Sequence, residues 1–267
     1  HLAVITAGDY VNKLIVSKII TERVNHFFES IFAVGVDEMS WDDLDEANYD
    51  WPTVAEVKDY RGKVRSLVSQ VIDSLPLTMP INWDNPLWSI MMGIEHSRIH
   101  LETSSVIIRR LPLEHVRQLS FWDICHDSGS ATKNQLLPVT GGTVILGKNK
   151  DHPLYGWDNE FGQHRFEVMD FAASQHLVSN SEYLAFVDAN GYQNEKYWTN
   201  EGLRWVIYSQ AEHPLFWVKT NNSFLLRTMN REIEMPWDWP VEVNCLEANA
   251  FCQWQAEQTG LPIRLPT

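Results

Sequence analysis

No stretch of the 267 residues approaches the roughly 20 consecutive apolar positions that a membrane-spanning helix needs, so no such span is expected. Basic charge is scarce as well. Lys and Arg number 21 against 35 Asp and Glu, a formal net charge of −14, which argues against nucleic acid, whose phosphates demand a clustered excess of cations. The three cysteines, Cys125, Cys245 and Cys252, are odd in number and too few for a disulfide framework, so a soluble, cytoplasmic protein is expected. No repeat of fixed period and no low-complexity tract is present, which excludes solenoids and disordered tails. The first residue is His rather than Met, the sequence starts abruptly in element-forming chain, and the closing GLPIRLPT stops without a closing element. The expectation is an internal piece of a longer protein. What is abundant is core material: 44% of residues are hydrophobic and 12% aromatic, enough for two domains.

Apolar positions at Val11, Leu14, Ile15, Ile19, Ile20, Val24, Phe27, Phe28 and Ile31 recur in threes and fours, which predicts a helix over 9–33. The same spacing from Val54 to Leu75, opened by Pro52 and closed before Pro76, predicts a second. Asn85 as cap, Pro86 at the first helical position and Pro112 beyond the end bracket a third over 86–111. These segments read as an antiparallel bundle. Between the first two lies the acidic run VDEMSWDDLDE (36–46), read as a solvated loop because it lacks the alternating ligands of a calcium site.

After about residue 116 glycines and aromatics become frequent, and Thr143, Val144, Ile145 and Leu146 suggest one of several strands joined by turns. Two shorter helices are predicted there: 179–189, with Ser179 and Glu182 as a capping box, and 242–260, ended by Gly260. The fold class is therefore α+β in two domains: a helical bundle over 1–116, a linker over 117–137 within the stretch from 113, and a loop-rich α+β domain over 138–267.

The chemistry concentrates in GIEHSRIHLETSSVIIRR (93–110). On a helix, i and i+4 lie about 40° apart around the axis and one turn along it, so His96 and His100 can aim both imidazoles at one ion. Zinc proteases use this spacing with Glu directly after the first His; here that place is Ser97, against a protease. Glu102 lies roughly 240° around the axis from His96, which suits a supporting hydrogen bond inside the bundle rather than ligation. The alternative is a pair of core histidines bonded to neighbouring helices. Arg61 and Arg65, also i and i+4, can clamp a substrate carboxylate or stand solvated. Cys245 and Cys252, seven apart, read as small core residues. Cys125 and His126 are adjacent, and adjacent side chains seldom face each other, which discounts them as nucleophile and base.

The helix MMGIEHSRIHLETSSVIIRRLP, the earlier SIFAVGVDEMSWDDLDE, and then GGTVILGK, YGWDNEFG, PWDWPVEVN and IRLPT together resemble the 5-histidylcysteine sulfoxide synthases of ovothiol biosynthesis, relatives of the ergothioneine sulfoxide synthases. The resemblance runs from about Thr6 to Thr267. It implies a DinB-like bundle joined to a domain like the formylglycine-generating enzyme, a C-type-lectin variant, here incomplete. It further implies one non-haem iron(II) ion, Fe(2+), held by three histidines, two of them matching His96 and His100. The implied substrates are cysteine, histidine and dioxygen, the products a C–S bond and a sulfoxide. Three neutral nitrogen ligands leave open positions where thiolate, imidazole and oxygen meet.

Ungapped alignment of Thr6, Ala7, Asn12, Lys13 and Leu14 to the family puts Ile5 where the third histidine belongs. Isoleucine cannot bind a metal; His1, one turn earlier, is the substitute the sequence offers. The resemblance also implies a catalytic tyrosine beyond Thr267, so the second domain is expected to leave strand edges unpaired. Three other readings stay open: an ergothioneine-type synthase acting on trimethylated histidine, a zinc- or nickel-using DinB-like transferase, and a degenerate homologue without activity.

Overall fold

The computed structural model describes residues 2–32, 50–82, 84–120 and 123–266, with side chains from residue 6 onward. His1 and the acidic run 36–46 lie outside the described residues. By contacts the chain forms two compact units, His1–Val106 with Thr143–Val168, and Ile107–Gly142 with Met169–Thr267. This division by packing differs from the 1–116, 117–137 and 138–267 partition drawn from sequence texture, because the segment 143–168 groups with the N-terminal helices.

In the first unit, α1 (Leu2–Val16), α2 (His26–Ile31), α3 (Val54–Ser74) and most of α4 (Trp88–Arg110) carry the expected stripes. The helix expected over 9–33 is two helices. Lys18 takes a left-handed conformation (φ 57°), and the chain from Ser17 to Asn25 is irregular although apolar residues continue through it. What holds this break is Glu29, 2% exposed, whose carboxylate accepts the backbone N–H groups of Val24 and Asn25 and pairs with Arg23 at 2.8 Å. Asn25 then caps α2 by accepting from the Phe28 N–H. Pro52 stands outside α3: Thr53 is its cap, with Glu56 completing a capping box. Val11 and Leu14 of α1 are fully buried against Tyr60, Val64 and Val71 of α3 and Leu87 and Ile90 at the head of α4.

The segment 143–168 supplies β3 (His164–Val168), paired with β2 (Gly142–Leu146), and the motif YGWDNEFG between them. That motif folds around Lys148, whose ammonium donates to the Tyr155 carbonyl at 2.7 Å. The Trp88 indole N–H donates to the Gly156 carbonyl at 3.1 Å and its ring meets Tyr155 at 5.7 Å, so the loop is fastened to the first turn of α4.

The second unit is α+β. β1 (Leu136–Val139) pairs antiparallel with β4 (Phe171–Ser174), and β5 (Trp217–Lys219), β6 (Phe224–Arg227) and β7 (Glu232–Glu234) form an antiparallel sheet. Around them stand α5 (Asn180–Asp188), α6 (Asn200–Ser209) and α7 (Cys245–Thr259). α5 begins with the anticipated Ser179–Glu182 capping box. α7 begins at Cys245 rather than 242, because Asn244 with Glu247 makes a capping box at that point; Gly260 (φ 68°) ends it as anticipated. α6 was not anticipated. The cysteines separate: Cys252 is buried, as expected, whereas Cys245, at the first turn of α7, is exposed. An aromatic core of Tyr183, Phe186, Tyr192, Trp198, Trp217, Phe251 and Trp254 fills the unit. The chain from Asp127 to Gly129 is pinned to the PWDW motif: Asp238 accepts from the Ser128 hydroxyl and the Gly129 N–H, and the Trp239 indole donates to the Asp127 carbonyl. Among the described residues no helix is long and apolar enough to cross a membrane.

Candidate metal centre

α1 and α4 run antiparallel within the first unit, and three contacts set their register. The Ser17 and Ser89 hydroxyls lie 2.6 Å apart, a Cβ on Gly93 would overlap the Tyr10 ring, and Asp9 meets His96 at 2.8 Å. Positions 93, 96, 97 and 100 of α4 therefore share the face turned to α1. Tyr10 is further held by a hydrogen bond with Ser97, and burial raises its pKa against that bond.

His96 and His100 come together. Their Nε2 atoms are 3.0 Å apart and their ring centroids 4.7 Å. Asp9 Oδ2 takes the opposite nitrogen of His96, Nδ1. Both partners are largely enclosed, with side-chain exposures of 17% and 19%. The His100 pKa is lowered, first by burial and then by His96, with Asp9 opposing; the ring is thereby kept neutral, as a ligand must be. Its Nδ1 is buried and has no hydrogen-bond partner among the described residues.

The pair passes a test for two ligands of one ion. Metal–nitrogen bonds of about 2.1 Å meeting near a right angle put donor atoms about 3 Å apart, the observed Nε2 separation. A carboxylate on the far ring nitrogen is the usual support of a metal-bound imidazole. Among the described residues no group of three or more His, Cys, Asp or Glu side chains is gathered to hold a metal. Continuing the register by one turn puts position 5 of α1 level with His100; the residue is isoleucine, which offers no donor.

The other candidates fall elsewhere. Arg61 and Arg65 are exposed on α3, without a salt bridge among the described residues. Glu102 does not make the bundle-internal bond expected of it: its position faces solvent and its side chain has no hydrogen-bond partner among the described residues. Cys125 and His126 are exposed, and among the described residues His126 reaches Asp123, at 3.4 Å. Sequence reasoning missed Asp9, which stands one turn after position 5 on the same face of α1, a signal that acquires meaning only once the register with α4 is known. It also missed Tyr155. That hydroxyl is buried without a hydrogen-bond partner among the described residues, and burial, then Glu95, Glu160 and Asp158, drive its pKa upward.

Gly93 keeps Asp9 in reach of His96. Replacing a mid-helix Gly by Ala ordinarily stabilises by about 0.5–1 kcal/mol. Gly62 on α3, with nothing within 4 Å of an added Cβ, is expected to show that gain. Gly93→Ala is expected to reverse the sign and cost about 1–3 kcal/mol, since the ring it meets is fixed by Ser97 and α1 must shift. Thermal unfolding of the two variants side by side checks this; equal stabilisation would show that α1 does not pack as described.

The model of the sulfatase-modifying factor enzyme 1-like domain matches residues 125–267, more than half of the chain. The chain belongs to this family. Membership of the sulfatase-modifying factor enzyme 1-like family accounts for the loop-rich α+β part that follows the helices. The chain is also similar to the hercynine oxygenase of Mycolicibacterium thermoresistibile, 28% identical over 222 residues, covering 80% of this chain and 44% of that protein. The hercynine oxygenase of Mycolicibacterium smegmatis is likewise 28% identical, over 218 residues, covering 80% of this chain and 46% of that protein. Ergothioneine biosynthesis protein 1 of Neurospora crassa is 25% identical over 149 residues, 52% of this chain and 17% of that protein. The chain thus spans less than half the length of these curated relatives.

Proposed function

We propose that this chain is the helical, metal-holding part and the beginning of the lectin-like part of an oxygenase that joins a cysteine-derived sulfur to an imidazole carbon. The observation that carries the reading is the His96–His100 pair, Nε2 to Nε2 at 3.0 Å with Asp9 behind His96, in a chain similar over 80% of its length to hercynine oxygenases. Overall, a thiol, an imidazole C–H and dioxygen give a sulfoxide-bearing C–S bond and water. One oxygen atom goes to sulfur and the other leaves with the two hydrogens.

In this reading iron(II), when bound, supplies the oxygen chemistry, and His96 and His100 are two of its ligands. The polypeptide does the remainder. Asp9 accepts the Nδ1 proton of His96, leaving the Nε2 lone pair free; burial keeps His100 neutral. The Tyr10 ring, hydrogen-bonded to Ser97, lies against Gly93 on the α1–α4 face that carries the two histidines. Arg61 and Arg65 are the guanidinium pair on offer to a substrate carboxylate, and the catalytic tyrosine is assigned to sequence beyond Thr267.

The relatives' names support the ergothioneine-type reading, with hercynine, the trimethylated histidine, as acceptor, over the ovothiol-type reading with free histidine. The test is direct. Full-length protein reconstituted with iron(II) and given a cysteine-derived thiol with either acceptor, in air and without oxygen, is expected to form the sulfoxide from hercynine in air only. Product from histidine alone moves the assignment to the ovothiol type, and no oxygen-dependent product from either sinks the oxygenase reading in favour of a scaffold that lost its chemistry with Ile5.

A further inference from the structure

The structure assigns Asp9 a positioning role: it fixes the ring tautomer of His96 so that Nε2, and not Nδ1, is offered to an ion shared with His100. The inference rests on the metal reading of the histidine pair for its second half only. Its first half concerns the chain without metal.

Neutral imidazole carries one proton, on either nitrogen. A carboxylate oxygen of Asp9 accepts, so the 2.8 Å contact to Nδ1 calls for the His96 proton there, which in the neutral ring leaves Nε2 as a bare lone pair. His100 Nε2, 3.0 Å away, must then be the donor in the metal-free chain, because two lone pairs at that distance repel. The His100 proton is thus on Nε2, and its Nδ1, buried and without a partner among the described residues, is left as an unsatisfied acceptor. The two rings therefore stand in opposite tautomers. To offer both Nε2 atoms to one ion, His100 would have to carry its proton on Nδ1 instead of Nε2, whereas His96 would need no change.

Asp9 is not itself a third donor in this arrangement. The two ring nitrogens point away from one another, so a carboxylate on Nδ1 stands behind the ring, on the side opposite the shared space. The feature that makes the contact specific is the register: Gly93 lets Tyr10 lie against α4, and Tyr10 is the neighbour of Asp9 in sequence. Among the described residues nothing comparable backs His100, so there the support is confined to one of the two ligands.

Two variants separate a positioning role from a charge or ligand role. Asp9→Asn keeps a carbonyl oxygen that accepts the Nδ1–H, whereas Asp9→Ala removes it. Long-range proton–nitrogen correlation spectra of the metal-free chain are expected to show His96 protonated on Nδ1 in the unsubstituted and Asn forms, and to show that preference lost in the Ala form, with helix content equal in all three. Anaerobic titration with iron(II) is then expected to give about 10–100-fold weaker binding for Asp9→Ala and a loss of no more than about threefold for Asp9→Asn. An unchanged His96 tautomer in Asp9→Ala overturns the inference, as does an Asn variant as weak as the Ala variant, which would make the carboxylate a ligand. If the unsubstituted chain shows the expected tautomers but takes up no iron, the metal reading falls and the half of the inference that depends on it falls too.

Discussion

Replacing His100 with Ala is expected to abolish iron(II) binding while leaving helix content and thermal stability almost as they were. Ala is the best helix former, so the backbone of α4 loses nothing. The residue removed also carries a liability, because its buried Nδ1 has no partner among the described residues, and an unsatisfied buried polar atom costs about 1–3 kcal/mol. That saving offsets the lost contact to His96. His96→Ala is expected to remove iron binding equally but to cost stability, since Asp9, 19% exposed, is left without its imidazole partner. For either variant the loss of affinity should exceed the about 10–100-fold that follows from losing a mere supporting group. Anaerobic iron titration, far-ultraviolet circular dichroism and melting curves on both variants check the asymmetry. Iron retained by His100→Ala together with a large fall in helicity would mean that the pair serves packing and holds no ion.

The path from sequence to this site is uneven, and the reasons are physical. α4 was legible because Asn85, Pro86 and Pro112 flank it in the chain itself, although it begins at Trp88 rather than 86, after a turn in which Asn85 accepts from the Leu87 and Trp88 N–H groups, and α5 because Ser179 and Glu182 are three positions apart; these are local devices, written where they act. The break after Val16 was not legible. No Gly or Pro marks it, the apolar stripe runs on through Ile19, Ile20 and Val24, and the interruption is enforced by Glu29 collecting N–H groups from a loop it meets only after folding. α6 escaped for a different reason. It has a Thr199 cap, but Gly202 sits in its first turn and Ile207 and Tyr208 are exposed at 69% and 90%, which blurs the stripe a helix is read from. At the site, i and i+4 placed His96 beside His100 from sequence alone. Asp9 lies 87 positions from His96, and only the antiparallel register of α1 on α4 brings it there. The role of YGWDNEFG as a wrap around Lys148 was likewise hidden: the motif was recognised by resemblance, and its geometry depends on a cation seven residues upstream of Tyr155.

Phe186→Ala is expected to be the most damaging single change in the second unit, costing about 3–5 kcal/mol. The side chain is fully buried, and its ring meets five others: Tyr183 at 5.4 Å, Tyr192 at 5.8 Å, Trp254 at 5.9 Å, and Tyr197 and Phe251 at 6.1 Å. Its loss removes five tilted or edge-on aromatic contacts together with the transfer of one phenyl ring, which puts the cost toward the upper end of that range. Collapse into the space is resisted on two sides. Tyr192 is held by Glu247 at 2.5 Å, and the backbone at Gly191 is held by its N–H donating to the Phe186 carbonyl at 2.9 Å. The same crowding gives a second handle: a Cβ on Gly191 would overlap the Phe186 ring, so Gly191→Ala in the native background should destabilise by about 1–3 kcal/mol, whereas in Phe186→Ala the added methyl enters emptied space and should cost less or nothing. Urea unfolding followed through tryptophan fluorescence, with Trp198, Trp217 and Trp254 in this core, measures all four forms. Because small domains hold only about 5–15 kcal/mol in total, a loss at the upper end would leave the unit partly unfolded at ambient temperature. Strict additivity of the two substitutions would show that ring and glycine do not share the space this packing assigns them.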